Sequence, residues 1–233
     1  VSAALPVLAE SAAWIVVAKP AGIATIPARG EDPALALRQR LEAQLGKPLW
    51  VVHRIDRETS GAVAFARDAA SHRLLNLAFQ RQQVGKQYLA WTAGVPEPAA
   101  GTIDVPLLTA RKGKMRPAAP GERGALAART DYLLEARGSW QGAPAARLRC
   151  WPKSGRQHQI RVHLRAIGCP ILRDPRYGLA TFQSPFAELP LRRMALHAAV
   201  LELPRIGTVP RARIEAPLPA DLLALDQALF GVV

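Results

Sequence analysis

Short apolar runs separated by Pro- and Gly-containing turns organise this chain. Trp14 to Ala18 (WIVVA) ends at Lys19-Pro20-Ala21-Gly22 and predicts a strand followed by a turn. Asp32-Pro33 is a helix cap with Pro at the first helical position. Leu35, Leu37, Leu41 and Leu45 follow as a helical stripe that Gly46-Lys47-Pro48 stops. Leu49 to Val52 and Ala62 to Ala66 predict further strands, the second reached through Thr59-Ser60-Gly61. Asp68 caps a helix running to about Gln83, with Leu74, Leu77 and Ala78 inward.

Lys86 to Ala93 reads as a strand, and residues 109–124 as a basic, Pro/Gly-rich loop. Leu126 to Ala136 and Ala145 to Trp151 read as paired strands. Gln157 to Ile167 reads as a helix closed by Gly168. Ala195 to Leu203 predicts a last strand and Asp221 to Phe230 a last helix after Pro219. No internal repeat or long linker interrupts this order. The expected fold is α+β: one domain spanning 1–233, on a largely antiparallel mixed sheet flanked by helices.

Composition narrows the class. Of 233 residues 49% are hydrophobic, enough for a core and too many for a disordered chain. No apolar run reaches the ~18–20 residues of a membrane helix. The N-terminal VSAALPVLAESAAW lacks a basic stretch before a long apolar region, so no signal peptide is expected. Cys150 and Cys169 are too few for a disulfide framework or a four-cysteine zinc site, and are expected to be buried, reduced thiols.

Charge points to a partner. Lys and Arg number 31 against 18 Asp and Glu, a net charge of +13. Residues 105–165 hold 13 of the cations and 3 of the acids, a net of +10. Such an excess favours a polyanion, nucleic acid before anionic membrane. The plain alternative is a solvated surface.

Two segments could carry chemistry. In His53-Arg54-Ile55-Asp56-Arg57-Glu58-Thr59-Ser60-Gly61 a polar turn presents one central carboxylate. Arg54 and Arg57 favour the ionised form of Asp56, which suits a nucleophile; an Asp between arginines is also a common surface ion pair. In Ser154–Leu164, Gln157, Arg161 and Leu164 share one helical face, and Arg156 adds a second cation. His158 and His163 are five apart, which does not fit a helical metal pair.

These segments resemble the RluA family of RNA pseudouridine synthases. HRIDRETSG is similar to the family's HRLDxxTSG. KPAGIATIPARG resembles its KPAG segment and KQYLAWTAG its KxYxAxVxG strand. SGRQHQIRVHLRAIGCPILRDPRYG resembles its TGRTHQIRVHLAxIGHPILGDxxYG block, and MALHAAVLEL with APLPADL its closing LHA strand and helix. The blocks run in family order from about residue 14 to 224. Ile55, Ala62, Ser154, Gln157 and Arg173 depart from the pattern, Arg173 standing where Gly is frequent.

The resemblance implies an isomerase: the N1–C1′ bond of a uridine within RNA breaks, the uracil turns, and C5 bonds to C1′. It implies Asp56 as the nucleophile, Tyr88 against the uracil face and Arg161 paired with Asp56. No cofactor or metal is implied. The expected partner is ribosomal or transfer RNA, with no membrane; a cytoplasmic monomer is expected, without the S4-like domain of many relatives. Arg54, Arg57, Arg111, Lys112, Lys114, Arg116 and Arg156 are the candidate RNA-binding residues, Arg54 as the wedge that helps to extrude the uridine. His53, His72 and His197 are expected to be structural. Two other readings compete: a non-catalytic RNA-binding protein on this scaffold, and an aspartate-nucleophile phosphoester hydrolase.

Overall fold

The computed structural model describes residues 4–27 and 30–231. The chain gathers into two compact units, one built from the residues up to Lys86 with His197–Leu218 and the other from Gln87–Leu196 with the C-terminal segment from Pro219.

The first unit contains β1 (Val7–Glu10), β2 (Trp14–Lys19), β3 (Trp50–Val51), β4 (Ser60–Ala66), β11 (Leu196–Leu203) and β12 (Ala212–Glu215), with helices α1 (Leu37–Leu45) and α2 (Ala69–Gln80). Its strands run in the order β1-β2-β4-β11-β12, and β3 pairs with the end of β4. All pairs are antiparallel except β4 with β11, where Ser60 faces His197 and Gly61 faces Ala198. Trp14, Val16, Ala62, Ala64 and Ala66 pack with Leu75 and Ala78 of α2. Ile15, Val17, Val63 and Phe65 are buried as well. Both faces of β2 and β4 are therefore covered, which explains continuous apolar runs in place of alternation.

The Asp68 cap acts as the sequence predicts, and the Asp32 cap only in part. Asp68 accepts the N–H of Ser71 at 2.8 Å. Asp32 accepts that of Ala34, but opens only a 3₁₀ turn over Pro33–Leu35. Leu35 is consequently exposed, while Leu37 and Leu41 are buried. A second correction concerns α2. Leu74 and Leu77 are 43% and 39% exposed, and the inward residues are Ser71, Leu75 and Ala78. Apolar residues crowd more than one face of this helix, so its pattern does not fix the phase.

The second unit contains β5 (Gly85–Ala93), β6 (Ala100–Asp104), β7 (Leu107–Thr109), β8 (Met115–Pro117), β9 (Arg129–Trp140), β10 (Ala143–Pro152), α3 (Gln159–Ala166), the short α4 (Ala180–Gln183) and α5 (Ala220–Phe230). Strands β5, β10, β9 and β6 pair antiparallel in that order. Helix α5 buries Leu222, Leu225 and Leu229 and packs on β9. A Cβ at Gly138 of β9 would stand 2.1 Å from the Leu229 carbonyl oxygen, so glycine permits that approach. Cys150 and Cys169 are buried and unpaired; burial pushes their thiols to about 12 and about 11. The architecture is α+β with a mixed, mostly antiparallel sheet.

Segment 109–124 is not simply a loop. β7 and β8 form a two-stranded hairpin closed by Arg111–Gly113. Strand β6 and the edge strand β1 are additions to the sequence reading; both are short and mostly exposed. No helix among the described residues is long and apolar enough to cross a membrane.

Candidate active site

Three motifs that are distant in sequence form one construction in the first unit. The chain leaves β3 at Val51 and enters β4 at Ser60, and residues 52–59 carry His53 to Thr59. Thr25 straps this segment from the side: its hydroxyl donates to the Ile55 carbonyl at 3.2 Å and accepts the Ile55 N–H at 3.3 Å. The N–H of Thr59 donates to the Asp56 carbonyl at 3.1 Å, closing a turn directly after Asp56. The Asp56 side chain is half-buried at that turn.

The other side of the turn is held by Lys19 and Gly22. The Gly22 N–H donates to the Arg57 carbonyl at 2.9 Å. Lys19 is 1% exposed, and its ammonium donates to the carbonyls of Pro20, Ile23 and Arg57, each at 2.8 Å. A buried ammonium is tolerated only with its hydrogens satisfied. Lys19 thus holds the Pro20–Ile23 turn and the Asp56 turn as one piece. The KPAG segment contains this lysine, but its spacing alone does not reveal this role.

Gly61 joins the third motif. Its φ is +120°, and a Cβ there would lie 2.2 Å from the Ala198 carbonyl oxygen. Only glycine lets β11 come this close. Beside it the Ser60 hydroxyl and His197 Nδ1 are 2.8 Å apart, and His197 Nε2 is 3.2 Å from the Ala216 carbonyl. Donation from Nε2 to that carbonyl leaves Nδ1 to accept from Ser60.

The histidines in this unit have structural bonds. His53 Nε2 accepts the Ala64 N–H at 2.9 Å, and its ring stacks on Phe79 at 4.7 Å. Burial, and then the Lys86 charge, push its pKa to about 3. His72 Nε2 stands 3.0 Å from the Val51 carbonyl.

Arg54 and Arg57 sit in different settings. Strand β3 stops at Val51, so Arg54 and Asp56 both lie in the connecting turn. The Arg54 side chain is exposed. Arg57 is drawn into an ion pair with Glu31 and reaches the Gly22 carbonyl at 3.4 Å. Its charge is partly offset before any ligand arrives.

In the second unit Tyr88 lies on β5 opposite Cys150 of β10, half-buried. Arg161 is buried on α3 and meets a partner that sequence reading missed. Its Nε and Nη2 donate to Asp174 Oδ2 and Oδ1, each at 2.8 Å. Asp174 Oδ1 also accepts the N–H groups of Arg176 and Tyr177 at 2.9 and 3.0 Å. Burial works to raise the Asp174 pKa; the Arg161 bonds and charge and the two backbone donors outweigh it, so the carboxyl is held below its usual range.

Helix α3 starts two residues later than the sequence predicts. Gln157 is therefore exposed in the preceding turn and does not share a face with Arg161 and Leu164. Gln159 is the structural residue instead. Its carbonyl oxygen accepts from the Ser154 hydroxyl and the Arg156 N–H, and its amide donates to the Arg129 carbonyl and Thr130 Oγ1. His163 Nδ1 stands 2.9 Å from Thr130 Oγ1 and Nε2 2.9 Å from the Val105 carbonyl. Arg173 adopts φ +58°, the left-handed region that favours glycine, and its guanidinium bonds the carbonyls of Ala187 and Leu189.

The candidate RNA-binding cations of the hairpin are uneven. Arg111 and Lys114 are exposed; the side chain of Lys112 lies outside the described residues. Arg116 pairs with Glu122, whose pKa is pulled to about 2 by the Arg116 side-chain bond and then the Ala119 N–H. Arg156 is exposed and bonds the Ala127 carbonyl at 3.2 Å. Among the described residues no group of three or more His, Cys, Asp or Glu could hold a metal ion.

Comparison with known proteins agrees with the motif pattern. A family model described as RNA pseudouridylate synthase matches residues 13–166. An uncharacterized RNA pseudouridine synthase of Zymomonas mobilis is 36% identical over 224 residues, covering 92% of this chain and 96% of the relative. The dual-specificity RNA pseudouridine synthase RluA of Escherichia coli K12 is 33% identical over 189 residues, covering 81% of this chain and 82% of the relative. Among solved structures, human RNA pseudouridylate synthase domain containing 1 superposes with a TM-score of 0.80 at 25% identity, covering 97% of this chain and 88% of that one. With its motifs built into one turn in the first unit and a buried arginine clamp in the second, the chain belongs to the RluA family of RNA pseudouridine synthases, isomerases that convert uridine in RNA to pseudouridine.

Proposed function

We propose that this chain isomerises particular uridines of ribosomal or transfer RNA, acting in the cytoplasm as a monomer, with residues 1–233 working as one catalytic domain. Asp56 is the nucleophile. The N1–C1′ bond breaks, C5 bonds to C1′, the C5 proton leaves and the freed N1 gains one, so the sum is an isomerisation that consumes nothing. Tyr88 lies against the uracil and assists removal of the C5 proton. Arg161 pairs with Asp56 and holds the carboxylate in place.

The observation that carries this reading is the turn at Asp56. Lys19, Gly22 and Thr25 fix the backbone on both sides of it, which is the preorganisation a positioned nucleophile needs. The target base must leave its stack to reach a half-buried carboxylate. Arg54, exposed two residues before Asp56, is the side chain that fills the gap. A planar guanidinium stacks on a neighbouring base, which an ammonium cannot do.

The test is pseudouridine mapping in cellular RNA with and without this protein, followed by turnover of the identified RNA by wild type, Asp56→Asn and Arg54→Lys. Asp56→Asn should abolish product while RNA binding persists. Arg54→Lys should lose turnover on structured RNA and recover part of it on a flexible loop. Near-normal product from Asp56→Asn would remove the assignment.

A further inference from the structure

Tyr177 joins the hairpin, the start of α3 and the Arg161–Asp174 pair through contacts of different kinds. Its ring is buried, with the Arg161 guanidinium carbon 4.9 Å from the ring centroid. Its hydroxyl accepts the Met115 N–H at 2.8 Å and stands 2.7 Å from His158 Nδ1. Its own N–H donates to Asp174, the carboxylate that clamps Arg161. Met115 opens β8 of the basic hairpin, and His158 precedes α3 with φ +53°.

A phenol has one hydrogen to give and lone pairs to accept with. The Met115 N–H takes an accepting site, and the hydrogen is placed to go to His158 Nδ1. The hairpin has three residues per strand, and a pair of strands this short is not stable alone. Its seat is a small cluster of Leu107, Met115, Ala128, Val162 and Tyr177. Val162 is the next residue to Arg161, so the hairpin and the arginine share one support.

We propose that Tyr177 is a positioning residue with two separable ends: its ring sets the plane of Arg161, and its hydroxyl locks the basic hairpin to the start of α3. The proposal rests on the reading above, in which Arg161 serves the reaction, and on the sequence-based expectation that the hairpin cations take RNA phosphates. On this view a phosphate load on the hairpin is transmitted to Arg161 through one rigid ring.

The two ends are tested by two substitutions, assayed with the mapped RNA beside Asp56→Asn. Tyr177→Phe keeps the ring and removes the hydroxyl. It should raise KM about fivefold while kcat stays within about twofold, and speed amide exchange at Met115 roughly tenfold. Tyr177→Leu removes both ends and should also lower kcat on the order of tenfold. A Phe variant with wild-type KM and unchanged Met115 exchange overturns the proposal. So does a fall in kcat that matches the loss of folded protein in both variants, which is what a purely structural side chain would give. If Tyr177→Leu does not fold, the KM and exchange of Tyr177→Phe decide alone. An active Asp56→Asn would instead bring down the underlying reading, whatever the Tyr177 variants do.

Discussion

Arg161 and Asp174 face each other through two parallel hydrogen bonds of 2.8 Å, with the arginine side chain 6% exposed and the carboxylate 0%. A paired guanidinium and carboxylate are tolerated out of water; either one alone is not. Removing one partner leaves the other charged and desolvated, at a cost of about 3–5 kcal/mol. Asp174→Ala should therefore lower the urea midpoint strongly. Arg161→Met should do the same, and the double variant should lose less than the sum.

The same pair sets an acid limb of stability. The folded pKa of Asp174 lies below its ordinary value near 4. Its contribution is full above that value and is lost as pH falls through the folded one. Urea midpoints measured from pH 7 down to pH 3 should fall less steeply in Asp174→Ala than in wild type. Parallel curves would show that this carboxyl does not supply the acid limb.

Gly61→Ala and Gly113→Ala form a matched contrast. At Gly61 a methyl group meets the Ala198 carbonyl oxygen at 2.2 Å, and that atom is backbone within a strand pair. At Gly113, also at positive φ, nothing lies within 4 Å. Gly113→Ala should cost about 1–2 kcal/mol from the left-handed backbone alone. Gly61→Ala should cost about 4 kcal/mol or more, because β4 and β11 must part. Equal melting temperatures for the two variants would refute the close approach.

His53 gives a pH prediction of its own. Its folded pKa of about 3 lies below the ordinary value near 6.5. Between those values the unfolded chain binds the proton and the folded one does not, so stability rises with pH across this window. Above pH 6.5 the contribution is complete. His53→Gln keeps an acceptor for the Ala64 N–H and removes the titration. Its stability should be flatter than wild type between pH 4 and 6.5, as chemical denaturation at several pH values would read.

Much of this was legible in the residues, for identifiable reasons. WIVVA and AVAFA are apolar enough to be buried on both faces, and Asp68, Gly46 and Gly168 act as local punctuation that needs no tertiary context. Strands β1 and β6 were not legible, because a short, mostly exposed edge strand carries little apolar signal. The inward face of α2 is ambiguous in sequence because Leu74, Leu75 and Leu77 offer competing phases. Asp174 lies 13 residues beyond Arg161 in another turn, where no periodicity links the two. Lys19 was hidden for a similar reason: its role comes from three carbonyls gathered by folding, one of them 38 residues away.

The hairpin cations allow the proposed RNA grip to be tested without measuring catalysis. Each phosphate contact to single-stranded nucleic acid steepens the dependence of log affinity on log salt by about 0.7. Arg111 and Lys114 are exposed and can meet phosphate directly. Arg116 is already committed to Glu122, so phosphate must displace a carboxylate to reach it. Replacing both Arg111 and Lys114 with Glu should thus flatten the slope by about 1.4 and weaken binding. Arg116→Glu alone should alter the slope by less than 0.7 and should loosen the 116–122 turn. Titrations of the RNA at several salt concentrations give both numbers. If the Arg111/Lys114 double variant keeps the wild-type slope and affinity, the hairpin is a solvated surface, and the phosphate contacts lie elsewhere on the protein.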